Sequence, residues 1–294
     1  MAFFLALLID GALAGAIYTL IALAFVLVYK ASRMINFALG EWIMVAAALA
    51  GTGVHVLDLG PIGAVVFASA VMVALAVGFS RLVMGRLVGR PAIAAIMVTL
   101  GLGMAMRGVY PPLFGGTPAM LPPTLLKEPL MVGDLAIATD KLVAAALAIL
   151  CTGLVGLFYR YSRTGVALQA MADDPQAAAA VGIDVDRHLA IAWAMAGVVA
   201  VIAGVLWVFV AGSGFGVALV GLKVFPIVII GGLDSIGGTI VAAIAIGILE
   251  SLGAGYLDER LGSGFGSIVP YFVLLAMLAL RPHGLFGRAR IERV

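Results

Sequence analysis

The sequence predicts an all-α protein, a polytopic bundle of transmembrane helices with eight to nine spans, some of them broken or re-entrant. The chain has 294 residues, of which 64% are hydrophobic and 11% charged, and its mean hydropathy is +1.22. Soluble domains carry about 25% charged residues. Apolar runs recur along the whole chain, many of them close to the ~20 residues that cross about 30 Å of hydrocarbon. We therefore expect residues 1–294 to form a single transmembrane domain.

Apolar runs separated by short polar, glycine- or proline-containing turns are the candidate spans. The seventh run is short, so the count is nine if it crosses the membrane and eight if it is re-entrant. Between the fourth and fifth runs, Pro111–Asp140 reads as a long external loop. In chain order the runs are Phe3–Tyr29, Asn36–Val54, Ile62–Met84, Ala92–Tyr110, Lys141–Phe158, Ala190–Val210, Leu219–Ile230, Ile240–Leu249 and Ser267–Leu280.

The basic residues predict the orientation, because Lys and Arg concentrate in cytoplasmic loops. One set of alternate loops, with the C-terminal tail, carries 12 of the 17 Lys and Arg residues, the other set carries 4, and Arg107 lies inside the fourth run. This split predicts an N-terminus outside and a cytoplasmic C-terminus. It also makes the segment of about residues 159–189 the longest polar interruption on the cytoplasmic side.

A short helix is predicted within this cytoplasmic segment. Asp174 precedes Pro175, which is a typical pairing of an N-cap with proline at the first helical position. Four alanines follow, and Gly182 suits a C-terminal stop. A helix of about two turns, roughly 10 Å long, is not stable alone in water. It must therefore pack on its own membrane domain or in a partner's groove, unless it simply lies on the bilayer surface.

Glu41 lies inside the second apolar run and Arg107 inside the fourth. Each costs a few kcal/mol if it faces lipid, so we expect them to face the interior, a cavity or each other. One hypothesis is that they line or gate a translocation path, and the alternative is a structural ion pair or snorkelling near a helix end. Asn36 and Gly40 precede Glu41, which predicts a second helix that is broken or starts late, as in helices that line polar pathways.

A second break is predicted at residues 231–238, GGLDSIGG. Gly231 and Gly232 allow backbone conformations that other residues avoid, and Asp234 or Ser235 is expected to cap a helix that begins near Ile236. Farther along, Glu250 is expected to reach the outer interface. The glycine-rich stretch Ser251–Gly266 reads as a polar connection.

Several classes of function are excluded by missing motifs. There is no GxxxxGK[ST] sequence, so the chain has no P-loop for ATP. The three histidines are scattered and the single cysteine lies in an apolar run. We therefore expect no catalytic residue, no metal site, no cofactor bound by this chain, no enzymatic activity and no binding of nucleic acid.

Four ordered motifs carry a family resemblance that covers essentially the whole chain. INFALGEW (35–42), TGVALQAMADDPQAAAAVGIDVDR (164–187), GGLDSIGGTIVAAIAIG (231–247) and RPHGLFG (281–287) resemble the permease subunits of branched-chain amino acid ABC importers, the LivH-like family. The resemblance implies a multi-pass protein in the lipid of the bacterial inner membrane. It also implies as partners a second permease, homologous or identical, two cytoplasmic ATP-binding subunits and a periplasmic solute-binding protein.

The resemblance also implies roles for particular residues. It makes 164–182 the region that contacts the ATPase, with candidates Thr164, Gly165, Asp173, Asp174, Pro175, Ala178, Ala179 and Gly182. The candidates for the translocation path come instead from the two charges and the two predicted helix breaks, and they are Asn36, Gly40, Glu41, Arg107, Gly231 and Gly232.

The sequence departs from the family pattern within the second run. The family often has histidine where Leu39 stands, and glycine and tyrosine where Ala46 and Ala48 stand. The substrate therefore stays open among branched-chain amino acids, other amino acids, urea and short amides, and a sugar-transporting relative is a weaker alternative.

The function predicted is that of a permease subunit of an importer, coupled to a separate ATPase. The alternatives are an ion- or proton-coupled secondary transporter of a small polar solute, with Glu41 as its titrating site, and a scaffold that transports nothing.

Overall fold

The computed structural model describes residues 1–87, 90–115, 128–133, 135–212, 216–262, 264–281 and 284–287. These residues are overwhelmingly helical, so the predicted all-α membrane fold is confirmed. Short 3₁₀ helices at Met84–Leu87 and Phe265–Ile268 and a small antiparallel hairpin, β1 (Leu130–Val132) with β2 (Leu135–Ile137), complete the described structure. The α-helices are α1 (Ala2–Ser32), α2 (Leu39–His55), α3 (Gly60–Leu82), α4 (Ala92–Phe114), α5 (Thr139–Tyr161), α6 (Arg163–Asp173), α7 (Pro175–Ala180), α8 (Val185–Ala211), α9 (Gly216–Gly231), α10 (Ile236–Leu261) and α11 (Val269–Leu280).

Among the described residues, 6 helical segments are long and apolar enough to cross a membrane. Two shorter apolar segments, Gly216–Gly231 and Phe265–Leu280, stand beside them, and α2 has 17 residues. The count of eight to nine spans stays a prediction. The long segments are Ala2–Ser32, Gly60–Leu87, Ile93–Phe114, Thr139–Tyr161, Val185–Ala211 and Ile236–Leu261.

The described residues divide into two compact units. Unit 1 takes its residues from Met1–Ala22, Thr124–Leu150 and Lys223–Val294, and unit 2 takes its residues from Leu23–Pro123 and Cys151–Leu222. The prediction of a single transmembrane domain is untested and stays a prediction.

Unit 2 is built around α2, which packs on α3, α4 and α8. Glycines bring the helices together: a Cβ on Gly53 would lie 2.8 Å from Ala64 Cα, and one on Gly204 would lie 2.8 Å from the carbonyl oxygen of Ile43. Small residues of this kind let membrane helices approach closely. Three aromatic rings, from Trp42, Phe79 and Trp193, then fill the centre of the unit.

Unit 1 packs α10 against α1 through glycines. A Cβ on Gly15 would lie 2.6 Å from Ile244 Cα, and one on Gly11 would lie 2.6 Å from Ile248 Cα. The predicted connection Ser251–Gly266 is wrong for its first part, because α10 continues to Leu261.

The glycines in that part of α10 serve packing rather than a turn. A Cβ on Gly253 would lie 2.8 Å from Val269 Cγ2, and one on Gly266 would lie 2.6 Å from the backbone nitrogen of Ala254. Close packing therefore offsets the weak helix propensity of glycine. The helix ends at Gly262, which has a φ of 113°.

The predicted end of the fourth run at Tyr110 is also wrong, because α4 includes Pro111 and Pro112 and ends at Phe114. Proline removes a helical hydrogen bond, but these two lie in the last turns, where Gly115 closes the helix with a φ of 63° and donates to Pro111 O at 2.8 Å. The remainder of the predicted external loop from 116 to 127 lies outside the described residues.

Candidate functional site

The segment before α2 is non-helical, with Asn36 and Ala38 buried in unit 2 and the residues around them half-buried, so the predicted late start of the second helix is confirmed. The buried Asn36 side chain accepts a hydrogen bond from the backbone N–H of Ala38 at 3.0 Å. Thr99 Oγ1 accepts from the N–H of Phe37 at 3.3 Å. Polar side chains thus satisfy backbone groups that lack helical partners, which is required where irregular backbone lies at membrane depth.

Glu41 and Arg107 pair with each other, which is one of the three arrangements expected from the sequence. Arg107 Nε donates to Glu41 Oε1 at 2.6 Å. The side chain of Glu41 is 7% exposed and that of Arg107 is 47% exposed. A Cβ on Gly103 would lie 3.2 Å from Glu41 Oε2, so the glycine on α4 makes room for the carboxylate.

The unequal exposure of the two partners gives the pair its chemistry. The Glu41 carboxylate is held inside the unit and compensated, whereas the rest of the Arg107 guanidinium is presented outward from a membrane helix. A guanidinium carries five N–H donors, and among the described contacts Glu41 engages one of them. The remaining donors suit bidentate binding of a carboxylate.

Gly40 lies at a helix crossing. A Cβ on Gly40 would collide with the carbonyl oxygen of Ala218 on α9, and the backbone of Gly221 lies against it as well. This packing places the start of α2 against α9 without any side chain between them. The assignment of Gly40 and Asn36 to a translocation path stays a prediction.

The predicted break at residues 231–238 is confirmed within unit 1. Helix α9 ends at Gly231, Gly232 has a φ of 98°, and α10 begins at Ile236. Of the two candidate caps, Ser235 is the one that accepts a hydrogen bond at the helix start, from Gly238 N at 3.0 Å.

The C-terminal segment 284–287 closes over this break. Leu285 N donates to Ile230 O at 2.7 Å, and a Cβ on Gly232 would lie 2.6 Å from the backbone nitrogen of Gly287. We call this segment the C-terminal clasp. Its neighbours 282–283 and 288–294 lie outside the described residues.

The polar segment 159–189 contains a helix that the sequence reasoning missed. Helix α6 is capped by Ser162, whose Oγ accepts from Gly165 N at 2.8 Å, and Gln169 Nε2 donates to Tyr159 O at 2.9 Å. Its inner face consists of residues three or four apart, a spacing that was visible in the sequence. The buried residues are Gly165, Leu168, Met171 and Ala172.

The predicted short helix is confirmed as α7. Asp174 Oδ1 accepts from Gln176 N at 2.9 Å and from Ala177 N at 3.0 Å, and Gly182 has a φ of 87°. Ala178 is the residue of this helix that points inward, at 4% exposure. The exposed residues of α7, here called its outer face, are Pro175, Gln176, Ala177, Ala179 and Ala180.

The segment is tied to the end of α1. Arg33 Nε donates to Ala172 O at 3.1 Å, and its guanidinium pairs with Asp173 at 3.3 Å. Thr164, in the first turn of α6, is half-buried. The structure therefore brings together the candidates for contact with the ATPase, from Thr164 to Gly182. Their contact with a partner stays a prediction.

A polar cluster in unit 1 was not predicted. Glu250 was expected to reach the outer interface, but its side chain is 15% exposed and bridges two partners. Tyr18 donates its hydroxyl to Glu250 Oε2 at 2.8 Å, and Lys223 Nζ donates to Glu250 Oε1 at 2.5 Å. Lys223 is one of the 4 basic residues counted on the outer side from the sequence, although the seventh run contains it, and it lies within α9. No signal of spacing joins these residues, because they are far apart in the chain.

Comparison with known proteins now bears on this arrangement of helices. Residues 7–278 match the family model described as branched-chain amino acid transport system / permease component. The chain belongs to this permease family. The permease is therefore a multi-pass transport protein of the inner membrane, and permeases of this kind are not themselves enzymes.

Individual relatives agree with the family assignment. The high-affinity branched-chain amino acid transport system permease protein LivH of Escherichia coli (strain K12) is 29% identical over 316 residues, covering 99% of this chain and 98% of LivH. The corresponding protein BraD of Pseudomonas aeruginosa is 28% identical over 304 residues, covering 98% and 97%. Among solved structures, PsaBC from Streptococcus pneumoniae in complex with Fab is similar at a TM-score of 0.46 with 19% identity, covering 92% of this chain and 90% of that one.

Proposed function

We propose that this permease forms the translocation path of an ABC importer for branched-chain or related amino acids, and that separate cytoplasmic ATP-binding subunits drive it. The names of its relatives support the substrate class, since LivH and BraD are both branched-chain amino acid permeases.

The observation that carries the coupling to an ATPase is the outer face of α7. Five of the 6 residues of this helix are exposed, although a helix so short needs support. Asp174 caps it, Ala178 anchors it, and Arg33 ties its approach to α1. A small, rigidly held and largely uncharged surface at the end of a membrane helix suits docking into a groove of a partner protein.

The charge distribution supports the orientation that this coupling needs. Lys223 lies in the middle of α9 rather than near a helix end, so 3 of the 4 basic residues counted on the outer side from the sequence remain in that count. The bias toward the side of α6 and α7 is therefore sharper, and by the positive-inside rule that side is cytoplasmic. We assign the N-terminus to the outside and the C-terminus to the cytoplasm.

Assembly follows from the same proposal. The permease pairs with a second permease, homologous or identical, binds two ATP-binding subunits through the region 164–182, and receives substrate from a periplasmic solute-binding protein. Nothing in this chain supplies a nucleotide-binding loop, so ATP hydrolysis falls to the partners.

The pair of Glu41 and Arg107 supports an amino acid as the substrate. The exposed donors of Arg107 match the α-carboxylate that amino acids share, and Glu41 fixes the position of the guanidinium. A self-sufficient secondary transporter needs no docking helix, so the exposed outer face of α7 disfavours that alternative.

The test is reconstitution of the permease in liposomes with its candidate partner permease, ATP-binding subunits and binding protein. Uptake of radiolabelled leucine is expected with ATP and not with a non-hydrolysable analogue. Uptake by the chain alone, driven by a proton gradient, would overturn the proposal. In the same assay Glu41→Gln and Arg107→Gln should each reduce uptake, and full uptake by both variants would remove this pair from the path.

A further inference from the structure

Unit 2 contains an apolar groove that is lined by neither member of the charged pair Glu41 and Arg107. Helices α2, α3 and α4 line an open groove of about 690 Å³, a volume within the range of ligand pockets, about 300–1,000 Å³. Its lining is entirely apolar or aromatic and includes Val45, Leu75, Leu102, Met106 and Val109. Neither Glu41 nor Arg107 belongs to this lining.

The length of the groove matches one leaflet of a bilayer. The lining runs from Val71 to Val83 along α3 and its end, and from Leu102 to Phe114 along α4, which is about 18 Å at 1.5 Å per residue. One leaflet contributes about half of the 30 Å hydrocarbon core. An extended chain of methylene groups in one leaflet therefore fits this length.

The lining decides between a lipid chain and a protein helix. Membrane helices associate through small residues that let their backbones approach closely. Leucine, valine, methionine and phenylalanine dominate this lining instead, which suits a flexible hydrocarbon chain.

One end of the groove is basic. Arg81 follows Gly78 by three residues and Ala74 by seven, and both of these line the groove, so Arg81 continues the same face of α3. Arg86 and Arg90 follow, and all three arginines are exposed. Within the described part of the chain none of the three has a carboxylate within salt-bridge distance.

One acidic residue, Asp186, lies near this end of the groove and reduces its positive charge. Asp186 Oδ1 lies 3.4 Å from where a Cβ on Gly85 would stand. Three arginines against one carboxylate leave the end positive. The opposite end carries Tyr110 and Phe114, whose rings are 5.2 Å apart, and no charged residue among those the structure describes belongs to the lining there.

We propose that this groove is a binding site for an anionic phospholipid, with one acyl chain between α3 and α4 and the phosphate bound by Arg81 and Arg86. The lining contains none of the residues proposed for the translocation path, and the proposal does not depend on the proposed coupling or substrate.

A matched pair of glycine variants tests the acyl-chain site. A Cβ on Gly78 or on Gly101 would meet nothing within 4 Å, so both positions accept a side chain, but Gly78 lines the groove and Gly101 on α4 does not. The full chain is purified in mild detergent, and bound phospholipid is counted by native mass spectrometry. Wild type and Gly101→Phe should retain one phospholipid, and Gly78→Phe should lose at least 80% of it, on the order of the tenfold change that 1.4 kcal/mol produces.

A second variant, Ala105→Phe, fills the groove from the side of α4. It tests the same site if Gly78→Phe fails to fold. Retention of lipid by both groove variants at the level of Gly101→Phe would overturn the proposal, as would a wild-type protein without lipid. In a Cys151→Ala background, a disulfide between Gly78→Cys and a second permease copy would also overturn it, because the groove would then be a subunit contact.

The phosphate site is tested by adding lipid back to delipidated protein. Phosphatidylglycerol should raise the melting temperature of wild type more than phosphatidylethanolamine does. The double variant R81Q/R86Q should lose this difference, and Arg260→Gln, an exposed arginine of unit 1, should keep it. An unchanged preference in the double variant would rule out an anionic headgroup at this end.

Discussion

Gly40 at the start of α2 and Gly221 on α9 meet backbone to backbone, so that a Cβ on Gly221 would lie 2.5 Å from Gly40 Cα. No rotamer change relieves such a contact, because both atoms that would clash are fixed to the main chain. The charged residue next in sequence, Glu41, takes its position from this crossing.

Gly221→Ala is therefore expected to separate α2 from α9 and to reduce stability by about 1–3 kcal/mol, the usual cost of overpacking. Thermal unfolding of the purified protein in detergent measures it. The control is Gly216→Ala in the same helix, where a Cβ would meet nothing within 4 Å. Equal melting temperatures for the two variants would contradict this contact.

The ion pair of α2 and α4 should respond asymmetrically to neutralisation. Arg107→Gln leaves a carboxylate that is 7% exposed without its cation, whereas Glu41→Gln leaves an arginine that is 47% exposed and an amide that still accepts a hydrogen bond. Removing one partner of a fully buried pair costs about 3–5 kcal/mol. Because Arg107 is half-exposed, we expect about 1–3 kcal/mol for Arg107→Gln by the same reasoning and less for Glu41→Gln.

The double variant should recover part of this loss, and a double-mutant cycle on the melting curves isolates the coupling between the two residues. If Glu41→Gln proves the more damaging single change, the carboxylate is not the buried member of the pair. Arg260→Gln serves as the control for removal of an exposed arginine.

The cluster around Glu250 should depend most on its central carboxylate. Glu250→Ala removes the partner of both Lys223 and Tyr18 and is expected to cost about 3 kcal/mol. Tyr18→Phe removes one hydrogen bond and should cost about 1 kcal/mol. The order of the two melting temperatures is the measurement, and a larger effect of Tyr18→Phe would mean that the cluster is organised by the hydroxyl instead.

The cap of α7 should control coupling without controlling the fold. Asp174→Ala removes the acceptor for Gln176 N and Ala177 N, a change worth about 0.5–2 kcal/mol locally. A helix of 6 residues then loses its shape. We expect ATP-driven uptake to fall severalfold at an unchanged melting temperature, with rescue by Asp174→Asn. Full uptake by Asp174→Ala would show that α7 need not be helical for transport.

The two neighbouring alanines of α7 should separate docking from folding. Ala179→Asp places a charge on the outer face and is expected to reduce binding of the ATP-binding subunits in a pull-down, with no loss of melting temperature. Ala178→Asp buries a carboxylate at a position that is 4% exposed, so it should lower the melting temperature as well. Undiminished pull-down of the partners by Ala179→Asp would place the docking surface elsewhere.

What the sequence predicted correctly rests on local chemistry. The pair of Asp174 and Pro175 predicted a helix start because an N-cap acts on N–H groups two and three residues away. Ser235 before α10 and the glycines of the preceding turn were predictable for the same reason. Apolar length predicted most of the long helices, since the hydrocarbon thickness sets a minimum length for a helix that crosses it.

What the sequence did not reveal depends on partners distant in the chain. The glycines in Ser251–Gly266 suggest a turn, but the structure shows that Gly253 packs closely against Val269. Lys223 lies inside the seventh apolar run, and nothing in the sequence identifies Glu250 as its partner. Helix α6 was not predicted for a different reason. Its buried residues have helical spacing, but the polar residues between them obscured the pattern.

The C-terminal clasp sets an order of events during synthesis. Leu285 supplies the N–H that reaches Ile230 O, so the turn between α9 and α10 stays incomplete until translation has passed residue 285 and the ribosome has released that stretch. Chains fold from the N-terminus as they are made, at about 5–20 residues per second. A nascent permease is therefore expected to insert its helices first and to complete this turn late. A premature stop codon after α11 would leave the helices in the chain but remove the hydrogen bond from Leu285 to Ile230.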